Sequence, residues 1–187
     1  TNYNITYEET FSRGDYNLGI GHYALKSEIS GYSNIAIGNY SLNKSIASQN
    51  MMAIGHNSMI SITDYEVESN YNEYSIGIGN NTLRYAKASA SNTVIGESAL
   101  QHQEISSSNT VIGYYAAAYM SGSTCIDNII IGAGSHSTAR NATETVSIGN
   151  YIESVNSNYC TFLGTNVNNA KTNNQLRDDT LSYSVGI

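Results

Sequence analysis

The side chains best suited to chemistry in this chain are tyrosines and carboxylates that lie close together in residues 61–75. They are Tyr65, Glu66, Glu68, Tyr71 and Tyr74. Aromatic rings pack on the faces of sugars, and carboxylates accept hydrogen bonds from sugar hydroxyls. Because loops on a rigid scaffold commonly carry binding residues, this segment predicts a carbohydrate-binding loop. A solvent-exposed loop without a ligand is the alternative.

Other tyrosines and two histidines recur at fixed distances from a glycine. The tyrosines that stand two residues after an Ile-Gly pair are Tyr23, Tyr40, Tyr115 and Tyr151. They are expected to stack on one face, either packed against a neighbouring subunit, which is favoured, or as a sugar-binding ridge. His22 and His56 directly follow such a glycine, where Asn39 and Asn80 stand elsewhere. This exchange indicates a polar turn position rather than a metal site.

No residue pattern predicts catalysis. Glycoside hydrolysis uses two carboxylates that flank the substrate, and Asp127, Glu144 and Glu153 lie on neighbouring repeats. Acidic residues scattered over a repetitive surface produce the same coincidence. Cys125 and Cys160 fall at different places in the repeat, so no disulfide between them is expected within one chain. The sequence therefore predicts no catalytic residue, no metal and no cofactor.

Composition excludes several classes of protein. The chain has 187 residues, a net charge of −7 and a pI near 4.9, so nucleic acid is not an expected partner. Ser, Thr and Asn supply 65 residues and proline is absent. No apolar run approaches the roughly 20 residues of a membrane span, so membrane insertion is not expected. The first ten residues have no basic or apolar region typical of a signal peptide.

The elements that must position these side chains are set by a repeated dipeptide. Ile-Gly occurs with its glycine at positions 21, 38, 55, 79, 96, 113, 132 and 149, and Leu163-Gly164 is a ninth copy. The steps between glycines are 17, 17, 24, 17, 17, 19, 17 and 15 residues. A fixed period of this length is typical of a solenoid.

The residues before each glycine alternate as in a β-strand. Counting from the glycine, positions −3 and −1 are mostly aliphatic, and position −2 is often small. The large side chains, Ile95 among them, are therefore expected inside the coil, and the small −2 residues are expected to let another chain approach. Asn recurs at −4 in Asn17, Asn34, Asn92, Asn109 and Asn128.

Stacked parallel coils account for this pattern better than helices do. Ser, Asn, Thr and Gly disfavour a helix, whereas glycine permits sharp turns between strands. Equivalent strands would pair about 4.8 Å apart, with like residues in ladders. Each coil would bury few aliphatic side chains, at about 1.5–3 kcal/mol each, against about 1–2 kcal/mol per ordered backbone residue. Because a coil with so thin an interior buries little apolar surface by itself, the sequence favours oligomerisation.

The repeats also resemble those of known families. Residues 92–100 and 109–116 resemble the Asn-Thr-x-Ile-Gly-x-x-Ala-Leu repeats of phage tail fibres and tailspikes, which often precede an endosialidase-type intramolecular chaperone domain. Residues 34–38 resemble the Ser-Val-Ala-Ile-Gly repeats of trimeric autotransporter adhesin heads. Both likenesses imply a homotrimer, and the adhesin heads imply a left-handed parallel β-roll. The resemblance covers about residues 17–168, and the 17-residue step favours the phage type.

Together these patterns predict an all-β, left-handed parallel β-roll of about nine coils. The coils span residues 17–168, between an N-terminal segment (1–16) and a C-terminal connector (169–187). The resemblance implies a receptor-binding module of a phage tail fibre, located in the virion, that recognises bacterial surface carbohydrate or outer-membrane protein. The head of a bacterial surface adhesin is the alternative, and a polysaccharide-degrading tailspike is the third.

Overall fold

The chain is a β-solenoid of about seven turns, all-β and built from stacked parallel strands. The computed structural model describes residues 16–28, 31–45, 47–60, 73–86, 88–103, 105–120, 125–136, 142–153, 157–167 and 185–186. These residues contain no helix, and hence none that could span a membrane. The predicted fold class is confirmed at this level, whereas the nine coils, the left-handed turn and the trimer stay predictions.

Ten short strands form the larger parallel sheet, one for each repeat and one near the chain end. In sheet order they are β1 (Leu18–Ile20), β2 (Ile35–Ile37), β3 (Met52–Ile54), β4 (Ile76–Ile78), β6 (Thr93–Ile95), β8 (Thr110–Ile112), β10 (Ile129–Ile131), β12 (Val146–Ile148), β14 (Thr161–Leu163) and β15 (Val185–Gly186). Each pairs with its equivalent in the next repeat, as Leu18 with Ile35 and Ile35 with Met52. The predicted ladder of like residues is confirmed.

A second parallel sheet forms another side of the coil. Its strands are β5 (Ala88–Ala90), β7 (Ile105–Ser107), β9 (Cys125–Ile126), β11 (Ala142–Thr143) and β13 (Ser157–Asn158). Single bridges between Tyr32, Gln49, Glu73 and Ala90 continue it towards the first repeats. The 24-residue step leaves the register intact, since Met52 still pairs with Ile76. The longer step therefore does not shift the pairing of the described strands.

The glycine that ends each strand of the larger sheet allows successive coils to approach closely. Gly21 and Gly79 have φ of 131° and 132°, a region that L side chains rarely adopt. A Cβ placed on Gly21 would lie 2.5 Å from the carbonyl oxygen of Gly38, and one on Gly79 would lie 2.6 Å from that of Gly96. Each glycine thus packs directly on the next, which explains why the Ile-Gly pair recurs.

Left-handed backbone conformations make three further corners in most repeats. They recur at positions −5, +2 and +4, as in Ser91 (φ 55°), Ser98 (φ 55°) and Leu100 (φ 48°). Such conformations cost non-glycine residues free energy, so they persist where the surrounding structure determines them. Here the backbone hydrogen bonds between coils supply that constraint, as from the Leu100 amide to the Ala116 carbonyl (2.9 Å).

The strand faces are the reverse of the predicted ones. Val94, at position −2, is fully buried, whereas Ile95, at −1, is 37% exposed. The −2 residues, which are small or aliphatic except for the last, line the interior in every repeat from the second on: Ala36, Ala53, Gly77, Val94, Val111, Ile130, Ser147 and Phe162. The prediction that Ile95 lies inside the coil is therefore wrong for the single chain. The interior is narrow, and leucine and methionine side chains at +4 already fill its opposite side.

The buried asparagines at position −4 tie the two sheets together. The Oδ1 of Asn92 accepts a hydrogen bond from the Asn109 amide, and the Oδ1 of Asn109 accepts one from the Asn128 amide, both at 3.0 Å. The Nδ2 of Asn109 donates to the Cys125 carbonyl (2.7 Å), and that of Asn128 donates to the Ala142 carbonyl (2.8 Å). The ladder thus satisfies backbone groups where the chain passes from one sheet to the other.

Two further sequence expectations concern the cysteines and the chain end. Cys125 lies in the smaller sheet and Cys160 lies just before β14; both are buried and they do not form a disulfide with each other, as predicted. Val185–Gly186 pairs with β14, which adds a strand within the segment predicted as a connector. Residues 1–15 and 168–184 lie outside the described residues.

The glycine column predicts a difference between two substitutions in one repeat. Gly21→Ala should destabilise the fold by at least about 1–3 kcal/mol, because alanine is strained at this φ and its Cβ would collide with Gly38. Gly19→Ala is the control, since its Cβ would meet Leu25 Cδ1 at 3.4 Å, an ordinary contact. Urea denaturation of both variants measures the difference. Equal stabilities would contradict the close glycine packing.

Candidate functional site

Each repeat presents three surfaces outwards. One is the outer face of the larger sheet, at positions −3 and −1. The second is the corner between the sheets, at −6 and −5, where Glu73, Asp127 and Glu144 lie. The third, which we call the turn side, comprises the residues at positions +1 to +6 after each glycine whose side chains are not buried in the core. Since the backbone repeats regularly, each position forms a column of side chains about 4.8 Å apart.

Of the five residues predicted to bind carbohydrate, Tyr74 lies in the part of the chain that the structure describes. Tyr65, Glu66, Glu68 and Tyr71 lie outside the described residues. Tyr74 lies at the corner before β4, where it is 60% exposed and has a φ of 54°. It is accessible to a ligand, but it occupies a corner position that recurs in every repeat. The loop therefore stays a prediction.

The tyrosines at position +2 stack only in part. The rings of Tyr23 and Tyr40 lie 5.2 Å apart, as expected for adjacent repeats. Tyr115 instead contacts the ring of Tyr114 at 4.5 Å. Tyr151 packs beside Gly134, where a Cβ would lie 2.9 Å from its ring. The predicted single stripe is thus divided, because asparagine, serine and glycine occupy position +2 in the repeats between.

Position +1 is the polar turn that the exchange of histidine and asparagine predicted. The Oδ1 of Asn39 accepts a hydrogen bond from the His22 amide at 3.3 Å, and that of Asn80 accepts one from the His56 amide at 3.1 Å. The asparagine side chains therefore join neighbouring turns, while the histidines are exposed. Among the described residues, no three His, Cys, Asp or Glu side chains are close enough together to hold a metal ion.

An aromatic stack at position +6 was missed by the sequence analysis. His102 lies between Tyr85 and Tyr119, with ring centroids 4.6 and 5.0 Å away and interplanar angles of 28° and 19°. All three side chains are exposed. They are 17 residues apart, so the period itself could have revealed them. Their stacking leaves ring edges on the surface of the turn side.

Two cationic side chains lie over tyrosine rings on the same side. The Nζ of Lys26 is 4.3 Å from the centroid of Tyr23, and the Cζ of Arg84 is 4.9 Å from that of Tyr85. Cation–π attraction holds such charges in place at the surface. Burial, and then the charge of Arg84, lowers the pKa of His102 below its usual value. The turn side therefore combines aromatic rings with fixed positive charge.

The outer face of the larger sheet has the opposite chemistry. Its residues at −3 and −1 are all uncharged and at least partly exposed: Leu18, Ile20, Ile35, Ile37, Met52, Ile54, Ile76, Ile78, Thr93, Ile95, Thr110, Ile112, Ile129, Ile131, Val146, Ile148, Thr161 and Leu163. We call this the aliphatic face. Nine strands about 4.8 Å apart and three residues wide give it an area of roughly 400 Å². A contiguous apolar patch of this size is comparable to the largest patches on monomeric proteins, which are often functional.

The three carboxylates considered for catalysis do not share one place. Asp127 and Glu144 stack at the exposed corner between the sheets, both in left-handed conformation. Glu153 lies at +4 on the turn side, where its amide donates to the Val167 carbonyl (3.0 Å). Asp127 and Glu144 are thus neighbours, whereas Glu153 belongs to another side of the coil.

A comparison with models of known protein families, with curated proteins and with solved structures finds no match for this chain. The resemblance to tail-fibre and adhesin repeats therefore stays a prediction from the sequence.

One buried histidine occupies a core position that leucine fills in other repeats. His136 lies at +4, in a column with Leu83, Leu100 and Ala117, and is fully buried near Phe162 (centroids 5.7 Å apart). Neither of its ring nitrogens has a hydrogen-bond partner. Burial lowers the pKa of His136 to about 4. The neutral ring is therefore the form that the folded chain accommodates.

The stability of the fold should consequently fall as the pH drops. An unfolded histidine has a pKa near 6.5, so between about pH 6.5 and 4 the unfolded chain binds the extra proton. This proton binding lowers the free energy of unfolding by up to about 3 kcal/mol. The contribution to stability is fully present above pH 6.5 and is lost as the pH falls towards 4. The His136→Leu variant should not lose stability in this way as the pH falls. The His56→Leu variant, which changes an exposed histidine, should lose as much stability as the wild type. Urea denaturation at several pH values tests this, and parallel pH profiles for wild type and His136→Leu would contradict it.

Proposed function

We propose that this chain is a receptor-binding module of a phage tail fibre that recognises glycan or protein on a bacterial surface. The observation that carries the proposal is the turn side, where the exposed aromatic side chains of Tyr85, His102 and Tyr119 stand one repeat apart on the solenoid and cationic side chains lie in the earlier repeats. Binding residues are commonly placed on turns that a rigid scaffold positions. The likeness of residues 92–100 and 109–116 to tail-fibre repeats supports the same function.

The module is proposed to act as a homotrimer of left-handed β-rolls with about nine coils each. The aliphatic face supports association with copies of the same chain. It contains no charged residue, so it does not suit a hydrated glycan, and burying it would stabilise an assembly. It also runs the whole length of the solenoid, which suits identical chains aligned in parallel. The proposal that the assembly contains three chains rests on the family resemblance.

Such an arrangement places the two surfaces in different roles. The aliphatic faces would meet near the trimer axis, and the turn sides would remain available to a receptor. An elongated, stiff trimer is suited to a fibre that projects from a virion, which is the proposed location. The partners on this proposal are two further copies of the chain and bacterial surface carbohydrate or outer-membrane protein.

The proposed assembly predicts opposite outcomes for two neighbouring residues. Ile95→Asp should abolish the trimer while the chain still folds, because Ile95 lies on the aliphatic face. Val94→Asp should prevent folding, since an unpaired carboxylate buried in the coil costs several kcal/mol. Glu97→Ala, in the exposed turn, is the control, and this variant should keep both the fold and the trimer.

Light scattering and circular dichroism measure these outcomes. The wild-type chain should have about three times the monomer mass of 20.2 kDa. A stable wild-type monomer would contradict the assembly. An Ile95→Asp variant that stays trimeric would show that the aliphatic face is not the contact.

Binding of the labelled chain to a panel of capsulated and non-capsulated bacteria tests the function itself. Retention on particular strains, and loss of retention after excess unlabelled chain is added, are expected. Absence of binding to every strain would contradict a receptor-binding role. Shortening of purified capsule on incubation with the chain would instead indicate a depolymerising enzyme.

A further inference from the structure

Cationic and aromatic side chains lie in a row along the turn side, in the first, second, fourth, fifth and sixth repeats. All of them are exposed except Arg84, which is half-buried and donates a hydrogen bond from Nη1 to the Oδ1 of Asn81 (3.2 Å). The row, which we call the turn edge, occupies positions +5 and +6 and consists of Lys26, Lys44, Arg84, Tyr85, His102 and Tyr119. Backbone hydrogen bonds between coils align it: the Tyr85 amide donates to the Gln101 carbonyl and the His102 amide to the Ala118 carbonyl, both at 3.0 Å. From the first repeat to the sixth it extends over about 24 Å.

The positive charges of the described residues are confined to this edge. Lys26, Lys44 and Arg84 are the only lysines and arginines in the part of the chain that the structure describes. In the turns of the first four repeats, over residues 21–28, 38–45, 55–60 and 79–86, the one carboxylate is Glu28. Glu28 is buried and accepts hydrogen bonds from the Gly31 amide (2.8 Å) and the Ser48 hydroxyl (2.6 Å).

Among the described residues, the turn side of the first four repeats therefore carries an excess of positive charge, in contrast to the net charge of −7 of the whole chain. Of the other described carboxylates, Glu73, Asp127 and Glu144 lie at the corner between the sheets, whereas Glu97 and Glu153 lie on the turn side of the fifth and eighth repeats. Charges of one sign gathered along a surface attract ligands of the opposite sign. The ligand that fits the turn edge is therefore anionic, although the chain as a whole is acidic.

We propose that the turn edge binds a linear polysaccharide whose sugars carry carboxylates, lying along the solenoid axis. This inference rests on the proposed receptor-binding function and names the class of receptor. Lysine and arginine form charge-assisted hydrogen bonds with carboxylates. Tyrosine hydroxyls both donate to and accept from sugar hydroxyls. A linear polymer also matches a row of side chains that runs along the solenoid axis.

A nucleic acid fits the same edge less well. Single-stranded nucleic acid binds by stacking its bases on exposed aromatic faces. Here the faces of Tyr85, His102 and Tyr119 are turned towards one another, which leaves mainly ring edges for a ligand. Three cations on an otherwise acidic chain are also few for a phosphate backbone. A carboxylated sugar polymer can instead use the ring edges, through hydrogen bonds with the tyrosine hydroxyls.

The test measures binding of the intact chain to defined polymers by biolayer interferometry. Alginate and hyaluronan supply carboxylates, dextran is the neutral control, and single-stranded DNA is the alternative polyanion. Binding to at least one carboxylated polymer, weaker at high salt and absent with dextran, is expected. The double variant Lys26→Gln/Arg84→Gln should bind about tenfold more weakly. Lys26→Arg/Arg84→Lys should bind as the wild type does.

Glu144→Gln is the matched control, because it changes a surface charge at the corner between the sheets. It should leave polymer binding unchanged, and melting curves should show that all variants fold. Equal binding to dextran, stronger binding to DNA, or no effect of the double variant would overturn the inference. A chain that binds bacteria but neither carboxylated polymer overturns the inference alone. A chain that binds no bacteria overturns the receptor-binding function instead.

Discussion

The close packing of one glycine on the next is the constraint on which the solenoid depends. At this point in each coil the backbone adopts a φ near 130°, and no side chain could fit between successive turns. The glycine column therefore sets the approach of neighbouring coils and, with it, the register of both sheets. Insertions are accommodated elsewhere, which is why a 24-residue step and a 15-residue step leave the strand pairing unchanged. The rest of the coil varies around this fixed column.

The same constraint explains what the sequence could and could not predict. The repeat length, the parallel pairing and the asparagine ladder follow from the spacing of Ile-Gly and Asn, and all are present. The spacing does not predict which of the two faces of each strand is buried, because residues alternate with a period of two in either case. Ile95 was expected inside since large aliphatic residues usually are. The narrow interior instead takes Val94, with Leu100 opposite.

The candidate site shows a second limit of sequence reasoning. Tyr85, His102 and Tyr119 are 17 residues apart, so the period predicts their stacking, but the change of residue type from tyrosine to histidine conceals the column. The positive charge of the turn edge could not be read from a net charge of −7, because only the coil places Lys26 and Lys44 on one side and Glu144 on another. Charge segregation of this kind requires the fold.

The aliphatic face and the turn edge are stabilised by different kinds of contact, and this favours a separate partner for each surface. The aliphatic face gains stability when it is covered by another apolar surface, whereas the turn edge keeps its charges hydrated or paired with a ligand. In a solenoid every column of side chains has the same backbone environment, so one column can be apolar and another cationic without disturbing the fold. The glycine column supplies that uniform backbone. Assembly through one side and recognition through another then follow from the choice of residues in each column.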